Sequence, residues 1–194
     1  MPIQTMVLAI AVVLGGIAMV RLARAWWKYR GRRVVTCPEN QRPAGVVVDA
    51  GHAAATALGK SPELRLSSCS RWPERAGCGQ ECLSQVEASP EGCLVRNILT
   101  KWYEGKVCAW CGQPFGEIDW AGRKPALLGA DGVSVEWSEV PADRVHETLA
   151  AASPVCFACH MAHTLVREHP ELAVDRARPG EPRGRRFWRR ASHS

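Results

Sequence analysis

The chain has 194 residues, enough for one domain or two very small ones, and a formal net charge of +6. The charge is uneven: six basic and no acidic residues run from Arg21 to Arg33, and seven arginines with one acid, Glu181, run from Arg176 to Ser194, so residues 34–175 keep 12 basic and 18 acidic side chains, a net of −6. A mildly acidic body between two basic ends argues against a nucleic-acid-binding body, which needs basic residues spread over a folded face.

Residues 3–25 come first and are read as a transmembrane anchor. Residues 6–20 carry no charge and no strong polar group, and about 20 apolar residues in a helix cross the ~30 Å hydrocarbon layer. Arg21 can snorkel while Leu22, Ala23 and Ala25 extend the apolar stem. Trp26, Trp27 and Tyr29 stand where an interfacial aromatic belt belongs, in a basic juxtamembrane segment, residues 26–33. A cleaved signal peptide is the rival reading, with Ala23-Arg24-Ala25 as a small-x-small site. The leader MPIQT lacks the basic residue such peptides carry, and the positive charges follow the apolar run. By the positive-inside rule the expectation is an uncleaved single-pass anchor in the cell membrane with the body on the cytoplasmic side. In that reducing compartment the nine cysteines favour metal over disulfides.

Residues 34–105 form the expected N-terminal cysteine-cluster subdomain. Short β-branched runs at 34–36 and 46–48 flank a Pro- and Gly-containing turn and predict a hairpin. The alanine-rich stretch 50–58 predicts a helix ended by Gly59. Residues 63–66 (ELRL) alternate like a strand, and 80–87 suit a short helix. Ser89-Pro90 suits the start of a better one, with Ser as N-cap and Pro at the first helical position. Leu94, Val95, Ile98, Leu99, Trp102 and Tyr103 then follow at helical spacing as a core stripe, up to Gly105.

Residues 106–170 form the expected zinc-finger-like subdomain. A tight turn is predicted at 107–112. Residues 126–128 and 133–137 flank Gly129-Ala130-Asp131-Gly132, a hairpin signal. Helices are expected over 141–151 and 156–168, the second ended by His169-Pro170. Residues 171–194 form a basic tail, expected to be disordered from Arg176 onward. The fold class is thus α+β: one transmembrane helix, then a small metal-stabilised body of short hairpins and helices.

The strongest chemical signal is Cys108-Ala-Trp-Cys111-Gly112 with Cys156-Phe-Ala-Cys159. Two such pairs can supply the four thiolates of a tetrahedral zinc site. A tight turn aims the first two sulfurs at one point, with a glycine that lets the backbone fold back. On a helix, positions i and i+3 share a face, so Cys156 and Cys159 converge as well. The order of knuckle, hairpin and ligand-bearing helix across residues 107–168 resembles the treble-clef class of zinc fingers. The resemblance implies structural zinc held by Cys108, Cys111, Cys156 and Cys159. The long insert with its extra helix departs from that class and leaves a zinc-ribbon arrangement open.

Cys156-Phe-Ala-Cys159-His160 also matches the haem-attachment motif of c-type cytochromes, with His160 as proximal ligand. That reading needs His163, His169 or Met19 on the opposite face and a body outside the membrane. Cys69, Cys78, Cys82 and Cys93 are candidate ligands for a second zinc ion, with Cys37 as an alternate ligand. An iron–sulfur cluster is the minority alternative, because the spacing fits no standard run.

The sequence has no His-Glu-x-x-His, phosphate loop or Gly-x-Ser-x-Gly. Two functional expectations follow. The first is a non-enzymatic, membrane-held zinc module that meets a protein partner, its basic ends suited to anionic lipid. The second is a membrane redox protein using haem, an iron–sulfur cluster or exchanging thiols.

Overall fold

The computed structural model describes residues 2–59, 61–75 and 77–172; the tail expected to be disordered lies outside the described residues. The first helix, α1 (Pro2–Tyr29), is one unbroken element, and Ile3–Tyr29 is long and apolar enough to cross a membrane. Side chains along its apolar stretch are exposed, but Ala25 and Tyr29 near its end are buried. The last turn therefore belongs to the body. Gly31, at φ +101°, ends the helix in a conformation that favours glycine.

Two residues on, Arg33 turns back beneath that end. Its side chain is fully buried. Nη1 donates to Tyr29 O at 2.5 Å and to Gly31 O at 3.1 Å, and Nη2 donates to Lys28 O at 2.6 Å. Nε reaches Pro90 O at 3.4 Å. The last carbonyls of a helix have no partner within it, and here a guanidinium supplies one. Burial pulls the Arg33 pKa down, while the carbonyl cage offsets the lost hydration.

Strands β1 (Arg32–Thr36), β2 (Pro43–Val48) and β3 (Leu66–Cys69) form an antiparallel sheet in that order. The hairpin is the one expected from the valine runs. Helix α2 (Ala50–Thr56) starts at Asp49, whose Oδ1 accepts from His52 N at 2.9 Å. The strand anticipated over 63–66 instead begins at Leu66, because pairing with β2 fixes it: Val48 faces Leu66 and Val46 faces Cys69. Arg65 is held at Asp49, with Nη2 2.6 Å from Oδ2.

Helix α3 (Leu83–Ala88) starts later than expected. Gln80 sits at φ +55° with Oε1 accepting from Leu66 N at 2.8 Å, so the turn before α3 is tied to the sheet. Helix α4 (Val95–Tyr103) also starts late, and Ser89-Pro90 does not open it. Residues 93 and 94 are taken by β1: Val34 N donates to Cys93 O at 2.8 Å, and Leu94 bridges Arg33. Tertiary pairing here overrides a good local cap.

In the C-terminal half, β4 (Ala126–Leu128) pairs with β5 (Ser134–Glu136) on one side and β6 (Ser153–Val155) on the other. A 3-10 turn (Ala142–Arg144) leads into α5 (Val145–Ala151), and α6 (Phe157–Glu168) follows β6. The β6 edge was not anticipated: it is three residues long and contains Pro154, which only an edge strand tolerates.

Two apolar clusters result, and β1 serves both. Val35 lies with Tyr29, Val46, Val48 and Val86, whereas Val34 lies with Val95, Leu99, Tyr103, Leu127 and Leu149. Alternation along a strand sends neighbours to opposite faces. Tyr103 Oη donates to Ala126 O at 2.7 Å, fixing α4 to β4. Gly45 on β2 lets the 3-10 turn approach: a Cβ there would stand 2.8 Å from Ala142 Cβ and 3.1 Å from Asp143 N.

Two substitutions test this packing. Gly45→Ala forces β2 and the 3-10 turn apart and should destabilise the chain by about 1–3 kcal/mol. Arg33→Met leaves the end of α1 without its donors and should lower stability by on the order of 3 kcal/mol. Thermal unfolding in detergent measures both; wild-type melting would show that neither contact matters.

Candidate metal centre

The four predicted C-terminal cysteines converge. The sulfurs of Cys108, Cys111, Cys156 and Cys159 all lie within 4.8 Å of one another. Cys111 Sγ and Cys156 Sγ are 3.8 Å apart. A tetrahedron with zinc–sulfur bonds of ~2.3 Å has edges of about 3.8 Å, so the set is close to the size of an S4 shell.

Each sulfur is placed by local backbone. Val107 bridges Pro114 across a short turn. Within it Cys108 N donates to Gln113 O at 2.8 Å and Gly112 N donates to Cys108 O at 2.9 Å. Gly112 takes φ +71° there, the fold-back expected of a glycine after the second cysteine. The turn is docked on β6 by Ala109 N, which donates to Pro154 O at 2.8 Å. The same strand delivers Cys156 as the residue before α6 and Cys159 in the first helical turn. Cys156 N approaches Cys108 Sγ at 3.4 Å, which links the two halves of the site. Cys108 is buried, Cys111 exposed and the other two half-buried.

The electrostatics suit a cation. Burial works against ionisation of Cys108, but the amides of Cys111, Cys156 and Trp110 outweigh it and bring its pKa down to about 6. Burial, together with the crowding of the other thiols, pushes Cys156 and Cys159 up. Four sulfurs this close can share one negative charge among themselves, and a positive ion is what allows all four to ionise.

His160 is not part of this group. It is buried, with Nδ1 2.8 Å from Oγ of the buried Ser134 on β5. His163 is exposed and stacks on Trp110, ring centroids 4.4 Å apart. The histidines of α6 thus brace the helix against β5 and against the knuckle. Sequence reasoning missed Ser134; a hydroxyl in a three-residue strand gives no signal of a distant partner.

Of the expected N-terminal cysteines, Cys69, Cys78 and Cys82 share a cleft of about 130 Å³ with the alternate, Cys37. Cys93 is not among its lining residues; its thiol faces Gln85 O at 3.7 Å on the side of Arg33. Among the described residues, the C-terminal group alone has three or more candidate ligand atoms within 4.8 Å of each other.

No protein-family model, curated protein or solved structure matches this chain.

The geometry separates ligand from brace. Cys159→Ser should remove one metal equivalent and lower the melting temperature together. His160→Ala should leave the metal content unchanged and destabilise by about 1–3 kcal/mol, since Ser134 loses its buried partner. Elemental analysis beside thermal unfolding reads both. Full metal retention by the serine variant would count against these ligands.

Proposed function

We propose that this chain is a membrane-anchored, zinc-stabilised interaction module with no catalytic role for the metal. The observation that carries the reading is the convergence of four sulfurs within 4.8 Å of one another. Four thiolates leave no open position on a tetrahedral ion, whereas catalytic zinc keeps a place for water. The softness of the donor set favours zinc over hard cations. A knuckle, a hairpin and a helix that opens between its two ligand cysteines together support the treble-clef reading of residues 107–168.

The anchor rests on the helix Ile3–Tyr29, which is long and apolar enough to cross a bilayer. Trp26 and Trp27, 41% and 60% exposed, stand at its basic end as interfacial residues do. Six positive charges follow the apolar run and none precedes it, which supports a cytoplasmic body. The partner is a protein, met through α6, where Met161, Leu165 and Val166 are about half exposed near Trp110. The basic ends add attraction to anionic lipid.

Two measurements test the proposal. The purified full-length chain should contain zinc and be colourless. Visible absorption from haem or iron–sulfur would replace the reading with the redox alternative. A reporter active only outside the membrane, fused after Ser194, should stay silent in cells. A robust signal from that fusion would place the body on the other side.

A further inference from the structure

The turn that presents Cys108 occurs a second time, at Cys37, without its glycine and without its second cysteine. Cys37 N donates to Arg42 O at 2.9 Å, and Gln41 N donates to Cys37 O at 2.9 Å. These are the bonds Cys108 makes with Gln113 and Gly112, at the same offsets in sequence. Gln41 takes φ +55° where Gly112 takes φ +71°. The amides two and three residues on, Glu39 and Asn40, face the Cys37 sulfur as those of Trp110 and Cys111 face Cys108. Asn40 stands in the place of Cys111, its Oδ1 accepting from Arg42 N at 3.1 Å. A left-handed residue other than glycine is uncommon, and here Gln41 is braced by its own Nε2 bond to Pro38 O at 2.9 Å.

Three more cysteines face that turn across the cleft. Cys69 ends β3 opposite Val46. Cys78 and Cys82 flank a loop whose middle residue, Gln80, is pinned to Leu66 N. Cys82 is buried and lines the same cleft as Cys37, Cys69 and Cys78. Arg71 ties the two walls together: Nη1 lies 2.9 Å from Cys37 Sγ and 3.3 Å from Glu39 Oε2. Arg75 Nε adds a bond to Glu39 Oε1 at 3.1 Å.

We propose that Cys37, Cys69, Cys78 and Cys82 form a second zinc site, with Cys37 presented by a zinc-knuckle turn and Cys93 outside the ligand set. The sulfurs stand farther apart than in the C-terminal group, around a cleft of about 130 Å³. Cysteine moves its sulfur by rotating one bond between staggered wells, and binding of an ion would draw the four sulfurs together. Arg71 then lies against a site that carries two net negative charges, four thiolates on a divalent ion, and partly neutralises it. Binding releases the thiol protons to solvent.

The test uses the full-length chain in detergent, loaded with zinc in the presence of reductant. Wild type should hold two equivalents. Cys37→Ser should hold one, Cys93→Ser two, and the double variant Cys108→Ser/Cys111→Ser one. Two equivalents in Cys37→Ser, or none in the double variant, would overturn the second site and leave the C-terminal site standing. A count that the double variant leaves unchanged would instead defeat the C-terminal site alone. Should Cys37→Ser not fold, alkylation of the wild type decides. Cys37, Cys69, Cys78 and Cys82 should resist labelling until a chelator is added. Labelling of Cys37 before chelation would overturn the assignment.

Discussion

The buried guanidinium of Arg33 is the contact on which the rest of the architecture depends. An arginine with no solvent exposure must recover its hydration from the protein. It does so from carbonyls at the end of α1, with one more at Pro90. The same residue pairs with Leu94 on one side and with Val46 on the other. One side chain thus sets the direction in which the sheet leaves the helix, and fixes the loop that precedes α4. The neighbouring valines then divide between two clusters, Val35 into one and Val34 into the other. A rigid junction follows: the body is attached through packed residues, Ala25 and Tyr29, and not by a loose linker.

Neither cluster is large. Each contains nine buried residues, several of them alanine or valine, and cores of that size supply little net stability. Cross-links that hold distant segments together can compensate in such a fold. In the C-terminal half the four sulfurs are placed where one ion could join a turn near residue 110 to the start of α6, 45 residues apart at Cys111 and Cys156. The fold presents these sulfurs in advance through backbone bonds, with Cys108 held by the knuckle and Cys156 by β6. Such presentation lowers the ordering that an ion must impose. The tryptophans add to this thin interior at its margins: Trp102 Nε1 donates to Leu149 O at 3.1 Å, and Trp120 meets Trp137 edge to face.

Much of this was legible in the sequence because the signals were local. Both hairpins, the short helices around residues 50 and 145, and α6 all carry their own patterns of branching, capping or turn residues. The four C-terminal cysteines were legible because Cys-x-x-Cys spacing is a geometric requirement. What was hidden depends on partners far away. The start of α4 is set by β1 through Cys93 and Leu94, so Ser89 and Pro90 mislead. The length of β3 is set by β2 and not by the alternation at 63–66. The grouping of the N-terminal cysteines was hidden for a related reason. Cys93 is nearer in sequence to Cys82 than Cys37 is, yet it lies toward Arg33, while the β1–β2 turn carries Cys37 to the cleft.

The same backbone turn forms at Cys37 and at Cys108 from different side chains. In the C-terminal copy the second cysteine and the glycine advertise the knuckle. In the N-terminal turn Asn40 and Gln41 occupy those places, and the likeness lies in the backbone bonds. Asn40 Oδ1 accepts from Arg42 N at 3.1 Å, which braces the turn from within. The strain of Gln41 at positive φ must be balanced by contacts within the turn and beside it. Its Nε2 bond to Pro38 O at 2.9 Å and the Arg71–Glu39–Arg75 group are in place to do so. Because Cys37 follows directly on β1, whatever holds that sulfur also holds the strand. β1 runs from the Arg33 cage at the end of α1 to the turn at Cys37, so one five-residue strand joins the long apolar helix to the cysteine cleft.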